Sequence, residues 1–304
     1  MMIFQQIWDA DMKGNGLLPL IDGLSDNKKD AKQGYVIVDM DPMPNEVTTS
    51  GSEKDEISVF KESLIPQSKQ QSYDLFIKLH DNYDWRKNGK EDNTPEEQEE
   101  VDTFLRFAIG TKPMQLAREY AESNGHLAAG SSNEEWMNML KALWFKLILG
   151  KSTSYFEHVF LGEQGGQRRK LGGHHFWYHY LINDGPYVQL KKEDSIVFIR
   201  HVEVNKIEAS QLAEVITIQY SLEEEDQSGG KTKLNKKVGG FFVGTSAEGL
   251  MALGTVAFLD GRQDIPTELN GEKLDITVFR TQDQEKHART FFPKIKEAVP
   301  AGSR

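Results

Sequence analysis

Apolar residues recur at helical spacing through the first half of this 304-residue chain, and near Lys151 that period gives way to short runs rich in β-branched and aromatic residues. The order predicts an α+β fold: a mainly helical N-terminal region, residues 1–150, followed by a β-sheet-rich region, residues 151–304. The strongest helical run is Asn133 to Gly150, where Trp136, Met137, Leu140, Leu143, Trp144, Leu147 and Ile148 fall on one face; Asn133 reads as its cap and Gly150 as its stop. Thr94-Pro95-Glu96-Glu97 opens a second helix, with proline at the tolerated first turn. Tyr73 to Asn82 and Pro113 to Ser123 are two more. Between Gly14 and Gln71 the pattern is weak and polar, and only Ser50-Gly51-Ser52 stands out, as an exposed loop. Past Lys151, strands are predicted at Phe156–Leu161, Ile196–Val204, Glu214–Leu222, Gly239–Val243 and Leu274–Arg280, and helices at His174–Leu181 and Ser246–Phe258. Glu223–Gly230 reads as a hairpin tip, and Gly302-Ser303-Arg304 as a disordered or vector-derived tail.

Composition then removes whole classes of chemistry. Cysteine is absent, which excludes disulfides, thiolate metal sites and cysteine nucleophiles. No run approaches the roughly 18 apolar residues of a membrane span, and the start lacks a secretory pattern, so a cytoplasmic protein is expected. The net charge of -11 argues against a nucleic-acid binder, because phosphate neutralisation by Lys and Arg supplies most non-specific affinity. The average misleads here. Residues 151–240 hold 12 basic and 12 acidic side chains, leaving 24 basic and 35 acidic ones elsewhere, so the excess acid lies outside this segment. Arg168-Arg169-Lys170 and Lys233 to Lys237 are basic clusters inside it, enough to hold a short RNA through few phosphates.

Of the eight histidines, His158, His174, His175 and His179 fall within 22 residues. Cleavage of an RNA phosphodiester explains such density, because the neighbouring 2′-hydroxyl is a built-in nucleophile. It needs only a base to take its proton and an acid for the leaving 5′-oxygen. Two imidazoles, with ordinary pKa values of about 6.5, can be neutral and protonated at one working pH. A lysine can then stabilise the developing charge.

The segments Phe156-Glu157-His158-Val159-Phe160-Leu161-Gly162-Glu163 and Leu171-Gly172-Gly173-His174-His175-Phe176-Trp177 resemble the paired histidine motifs of the EndoU endoribonuclease family, the two histidines 17 residues apart. Lys236-Lys237-Val238-Gly239-Gly240-Phe241-Phe242-Val243-Gly244-Thr245-Ser246-Ala247-Glu248 resembles its lysine followed by a turn and helix. Ile7 to Asp11 and Trp144-Phe145 extend the likeness to the helical N-terminal portion. The resemblance implies cleavage of single-stranded RNA at uridines to a 2′,3′-cyclic phosphate, with His175 as base, His158 as acid and Lys236 as electrostatic partner. His174 competes with His175, and Lys237 with Lys236. Phe279, Thr245, Ser246, Gly240 and His174 are the candidate substrate contacts; Gly240 stands where the family commonly has serine, and Phe279 where a base-stacking tyrosine is usual. The resemblance implies no required cofactor, while manganese or calcium stimulation through Glu157 or Glu163 stays open. No membrane partner is expected.

Plainer readings compete with these. His158 in an apolar run reads equally as a core histidine, Glu157 and Glu163 as structural carboxylates, Trp177 as core, and Arg168 to Lys170 as a solvated loop. Ser246 is placed to cap the helix that follows it. Two rival functions also remain: a zinc hydrolase, from His175 and His179 at i,i+4, and an RNA-binding module without catalysis. The zinc pattern is incomplete, since Phe176 holds the position of its glutamate.

Overall fold

The computed structural model describes residues 2–40, 58–80, 82–86, 89, 94–148, 153–189, 194–204, 210–226, 228–282, 286–296 and 299–300. Gly150 and Lys151, the Ser50-Gly51-Ser52 loop and the Gly302–Arg304 tail lie outside them.

Helix α1 (Met2–Lys13) opens the chain and is followed by a three-stranded sheet of β1 (Leu18–Ile21), β2 (Tyr35–Val38) and β3 (Phe60–Leu64). Its one sequence signal is the short apolar run Tyr35-Val36-Ile37-Val38 between Gly34 and Asp39, in a stretch that is otherwise weak and polar. Its central strand, β2, is buried at all four positions, and a strand covered on both faces shows no alternation to read. Then come α2 (Gln70–Lys78), α3 (Pro95–Ala108), α4 (Lys112–Ser123) and α5 (Asn133–Leu140). Thr94 and Glu97 close a capping box on α3 as the spacing implied. On α5 the cap is Ser132 rather than Asn133, because Glu135 reaches back to the Ser132 backbone N–H at 2.6 Å. The helix also stops earlier than predicted. A π-turn over Lys141–Phe145 leads into extended backbone at Lys146, leaving Leu147 41% exposed.

The predicted strand Phe156–Leu161 is instead a helical turn that widens into a π-turn over Glu157–Leu161. The whole apolar run is buried and so carries no period, yet a capping pair betrays it: Glu157 N–H donates to Ser154 Oγ at 3.1 Å, and Ser154 N–H to the Glu157 carboxylate at 3.3 Å. A short hairpin of β4 (Glu163–Gln164) and β5 (Leu171–Gly172) follows, then α6 (Trp177–Leu181), shorter than the predicted His174–Leu181. Strands β6 (Ile196–Val204), β7 (Val215–Glu225) and β8 (Lys231–Phe242) form an antiparallel sheet. Helix α7 (Ala247–Asp260) leads to a second antiparallel sheet of β9 (Asp264–Leu269), β10 (Glu272–Arg280) and β11 (Ala288–Ile295). A final β12 (Val299–Pro300) pairs with β6, giving the order β12-β6-β7-β8.

Helix α7 holds the two halves together. Every residue from Ala247 to Ala257 is buried, the pattern of a helix covered on all sides. It packs against α1, α2 and α4 on one side and β10 and β11 on the other. One hydrophobic core therefore runs from Phe4 to Ile295, across the change of texture near Lys151. Among the described residues no helix is long and apolar enough to cross a membrane.

Candidate active site

The site forms where the π-turn, the β4–β5 hairpin, the edge strand β8 and strand β11 meet. Gly173 makes the meeting possible: its φ is +58°, and a Cβ there would lie 1.6 Å from the His158 carbonyl oxygen. With no side chain in the way, His174 N–H donates to His158 O at 2.8 Å and His175 N–H to Val159 O at 2.7 Å, so the two histidine motifs are laced together through their backbones. Widened turns of this kind recur at functional sites, and His158 sits on this one.

The His158 Nδ1 lies 2.8 Å from Glu163 Oε1, both side chains being buried. Burial alone would raise the Glu163 carboxyl, but His158 beside it, the hydrogen bond, Arg289 and Lys236 together hold it below its ordinary value of 4.5. An ionised carboxylate only accepts, so the Nδ1 carries hydrogen and the Nε2 is left as the ring's other nitrogen. Glu163 thus orients His158.

His175 is arranged differently. Its Nδ1 lies 3.0 Å from the Gly240 carbonyl, which also only accepts, so this ring too is protonated on Nδ1 and presents Nε2. Its ring stacks on Phe292, centroids 5.0 Å apart at 17°. Burial lowers its pKa well below the ordinary 6.5, and the charge of Lys236 lowers it further. The imidazole is accordingly neutral in the free protein near pH 7.

Lys236 reaches the site because β8 is bulged. Tyr220 pairs with Lys236 and Ile218 with Gly239, so Lys237 and Val238 together oppose Gln219, and the extra residue re-aims what flanks it. Lys236 is buried and donates to the Gly173 carbonyl, while Lys237 and Val238 face solvent. Burial brings the Lys236 pKa down to about 7, Glu163 opposing the fall and Lys170 adding to it. Lys236, not Lys237, is the lysine that enters the site.

Beside His175 opens a pocket of about 300 Å³, lined by Thr217, Gly240, Thr277, Phe279, Phe292 and Pro293 among others. Phe279 stands at its mouth, 44% exposed and 6.0 Å from the Phe292 ring. An aromatic series thus leads from the His175 imidazole through Phe292 to Phe279. Thr217 and Gly240 are register partners and share this face, and the Thr217 hydroxyl is buried with no hydrogen-bond partner in the structure. Gly240 has no room for a side chain: a Cβ would meet the Pro293 carbonyl oxygen at 2.6 Å.

Other sequence candidates lie elsewhere. His174 is fully buried with φ +61°; its Nδ1 meets the Tyr220 hydroxyl and its Nε2 lies 2.6 Å from His179 Nδ1, so both ring nitrogens face the interior. That removes it from the competition with His175 and from the substrate contacts. Thr245 is buried and donates to the Phe242 carbonyl at 3.0 Å. Ser246 caps α7, accepting from Gly249 N–H at 3.0 Å, and its hydroxyl and N–H both donate to Asp11 of α1. Neither reaches the pocket. Glu157 belongs to the Ser154 capping pair and Glu163 to His158; among the described residues no three His, Asp or Glu are grouped so as to hold an ion. The helical His175–His179 pair required for zinc is not formed, because Phe176 is an extended N-cap and α6 begins only at Trp177. Phe292, Thr217 and Tyr220 were missed by sequence reasoning; Phe292 lies on a strand with no readable signal, and nothing in sequence distinguishes the hydroxyl of Thr217 from others.

Comparison with known proteins gives the class. Residues 18–293 match the family model of Endoribonuclease XendoU, and the chain belongs to that family. It is 27% identical over 276 residues to a poly(U)-specific endoribonuclease of Xenopus tropicalis, covering 88% of this chain and 83% of the relative. It is 29% identical over 241 residues to the uridylate-specific endoribonuclease EndoU of Drosophila melanogaster, covering 76% and 68%. The solved structure of XendoU, described as a splicing-independent snoRNA-processing endoribonuclease, superposes with a TM-score of 0.66 at 25% identity, covering 98% of this chain and 97% of that one.

Proposed function

We propose that this protein cuts single-stranded RNA at uridines by intramolecular transesterification, leaving a 2′,3′-cyclic phosphate and a 5′-hydroxyl. The observation that carries the reading is His175, whose Nδ1 is tied to Gly240 and whose ring is kept neutral by burial, so that the Nε2 lone pair is ready to take a proton. In the reaction His175 Nε2 removes the 2′-hydroxyl proton, the 2′-oxygen bonds to phosphorus, and the bond from phosphorus to the 5′-oxygen breaks. The proton for the leaving oxygen comes from His158 Nε2, with Glu163 as counter-charge to the doubly protonated ring. Protonated Lys236 stabilises the extra negative charge on the phosphorane oxygens. These three side chains supply base, acid and charge, so we propose that no metal is required. Phe279 stacks on a base at the pocket mouth, and the relatives' uridylate specificity supports uridine as that base.

An RNA with a single uridine, compared with the same RNA bearing 2′-deoxyuridine there, tests the nucleophile. Cleavage of the first and complete resistance of the second is the expected result; equal cleavage of both refutes the reading.

A further inference from the structure

The fold gathers two basic runs about 60 residues apart in sequence. The loop joining β4 to β5 lies against the free edge of β8: Lys170 bridges to Asn235, and Asn235 N–H donates to the Arg169 carbonyl at 2.8 Å, with its side-chain amide on the same oxygen at 3.2 Å. This pins Arg168 and Arg169 beside Lys231 and Lys233, and the four line a groove of about 530 Å³. Two carboxylates share it. Glu223 pairs with Lys231 at 2.9 Å, and Asp194 Oδ1 accepts from Ile196 N–H at 3.0 Å. Among the described residues no ion pair is made by Arg168, Arg169 or Lys233. A cationic groove on a chain of net charge -11 is a site for an anion rather than a product of overall composition.

Its position says which anion. Lys233 and Lys236 are three residues apart on β8, about 10 Å at roughly 3.3 Å per residue, with Lys233 opposite Glu223 on the groove face and Lys236 opposite Tyr220 on the other face, and Lys170 is near enough to Lys236 to lower its pKa. Thr217, in the pocket beside His175, and Glu223, in the groove, are separated by an even number of residues on β7 and so lie on one face of that strand. Pocket and groove are therefore two stations on one face of the sheet. We propose that the groove is a second RNA-binding site, where Arg168, Arg169 and Lys233 hold backbone phosphates of the same strand a short distance from the one that is cut. The proposal rests on the ribonuclease reading above.

The test uses Arg168→Ala/Arg169→Ala and Lys233→Ala, all on exposed side chains, with a uridine-containing dinucleotide and an RNA of about 12 nucleotides, a length that spans an extended single-strand site. Both variants are expected to cut the dinucleotide as the parent does, while KM for the longer RNA rises about tenfold in the double variant with kcat unchanged. Between about 50 and 200 mM salt, the slope of log affinity against log salt should flatten by about 0.7 for each phosphate no longer held. Unchanged KM and slope for the longer RNA overturn the proposal, as does an equal loss on both substrates. Fluorescence anisotropy of the longer RNA on a His175→Ala background reads groove binding with no cleavage step, so it tests the groove even if the parent cuts nothing: weaker binding in the groove variants supports the proposal and equal binding overturns it.

Discussion

His175 and Gly240 are joined by one hydrogen bond of 3.0 Å that fixes the tautomer of the ring: Nδ1–H donates to the Gly240 carbonyl, which leaves the lone pair on Nε2. Replacing His175 by Ala should lower the cleavage rate about 10²–10⁴-fold, the contribution of a positioned general base, with the fold retained by circular dichroism. His158→Ala should do the same on the leaving-group side. Full activity in either variant would remove that residue from the mechanism.

The pH profile follows from two shifted groups. His175 is held well below 6.5, so the base stays competent down through mildly acidic pH, and Lys236, at about 7, loses its charge just above neutrality. In the free enzyme, kcat/KM should therefore fall as pH rises above about 7. In the complex the bound phosphate favours the charged lysine, so the fall in kcat should come at higher pH. An alkaline limb in the same place for both would mean that another group sets it.

Lys236 also carries a stability cost with a defined sign. Its pKa is lower folded than unfolded, so the penalty is fully present below about 7 and is relieved as pH rises toward 10.5, where the unfolded lysine also loses its proton. Lys236→Met should raise the melting temperature at pH 6, with the gain shrinking by pH 10, while abolishing cleavage. Melting curves at both pH values check this.

Glu163 works through His158 rather than on RNA. Glu163→Gln keeps the shape, removes the charge and lets an amide face Nδ1, so kcat should fall about 10²–10⁴-fold, as when an imidazole is left in the wrong tautomer, with KM little changed. The carboxyl titrates below its ordinary 4.5 in the fold, so its stabilisation is present above 4.5 and lost as pH falls through the folded value. The parent's advantage over Glu163→Gln in thermal melts should close accordingly at acid pH.

Ser246 and Gly240 make opposite tests of the pocket. Ser246→Ala removes the cap of α7 and the Asp11 contact, and should cost about 0.5–2 kcal/mol of stability, as helix caps do, with kcat/KM unaltered. Gly240→Ser forces a Cβ against the Pro293 backbone and should cost about 1–3 kcal/mol, the range for overpacking, and slow cleavage by shifting the acceptor of His175. Denaturant titrations with parallel rate measurements separate the two outcomes.

Of the site, the four histidines in a short segment were readable from residue type alone, Lys236 through the family resemblance of the Lys236–Glu248 segment, and Glu163 only as one of two carboxylates that read more readily as structural. Strands β6, β7 and β10 were readable because β-branched residues and turn signals bound them. Total burial hid the rest. Phe156–Leu161 and the all-buried β2 lack any inside–outside contrast, and β11, which supplies Phe292, was unread for want of a signal. Nor does sequence show that His174 turns toward Tyr220 and His179 while His175 turns toward Gly240 and Phe292; that depends on the positive φ of Gly173 and His174, a property of the assembled turn.

The central claim is met most directly by the chemistry of the cut end. Purified protein, incubated with chelator and a short single-stranded RNA containing one uridine, should yield a fragment whose mass matches a 2′,3′-cyclic phosphate at that uridine and a partner fragment with a 5′-hydroxyl. A fragment ending in a linear phosphate, with a 5′-phosphate on its partner, would contradict the account, as would RNA that binds and stays intact.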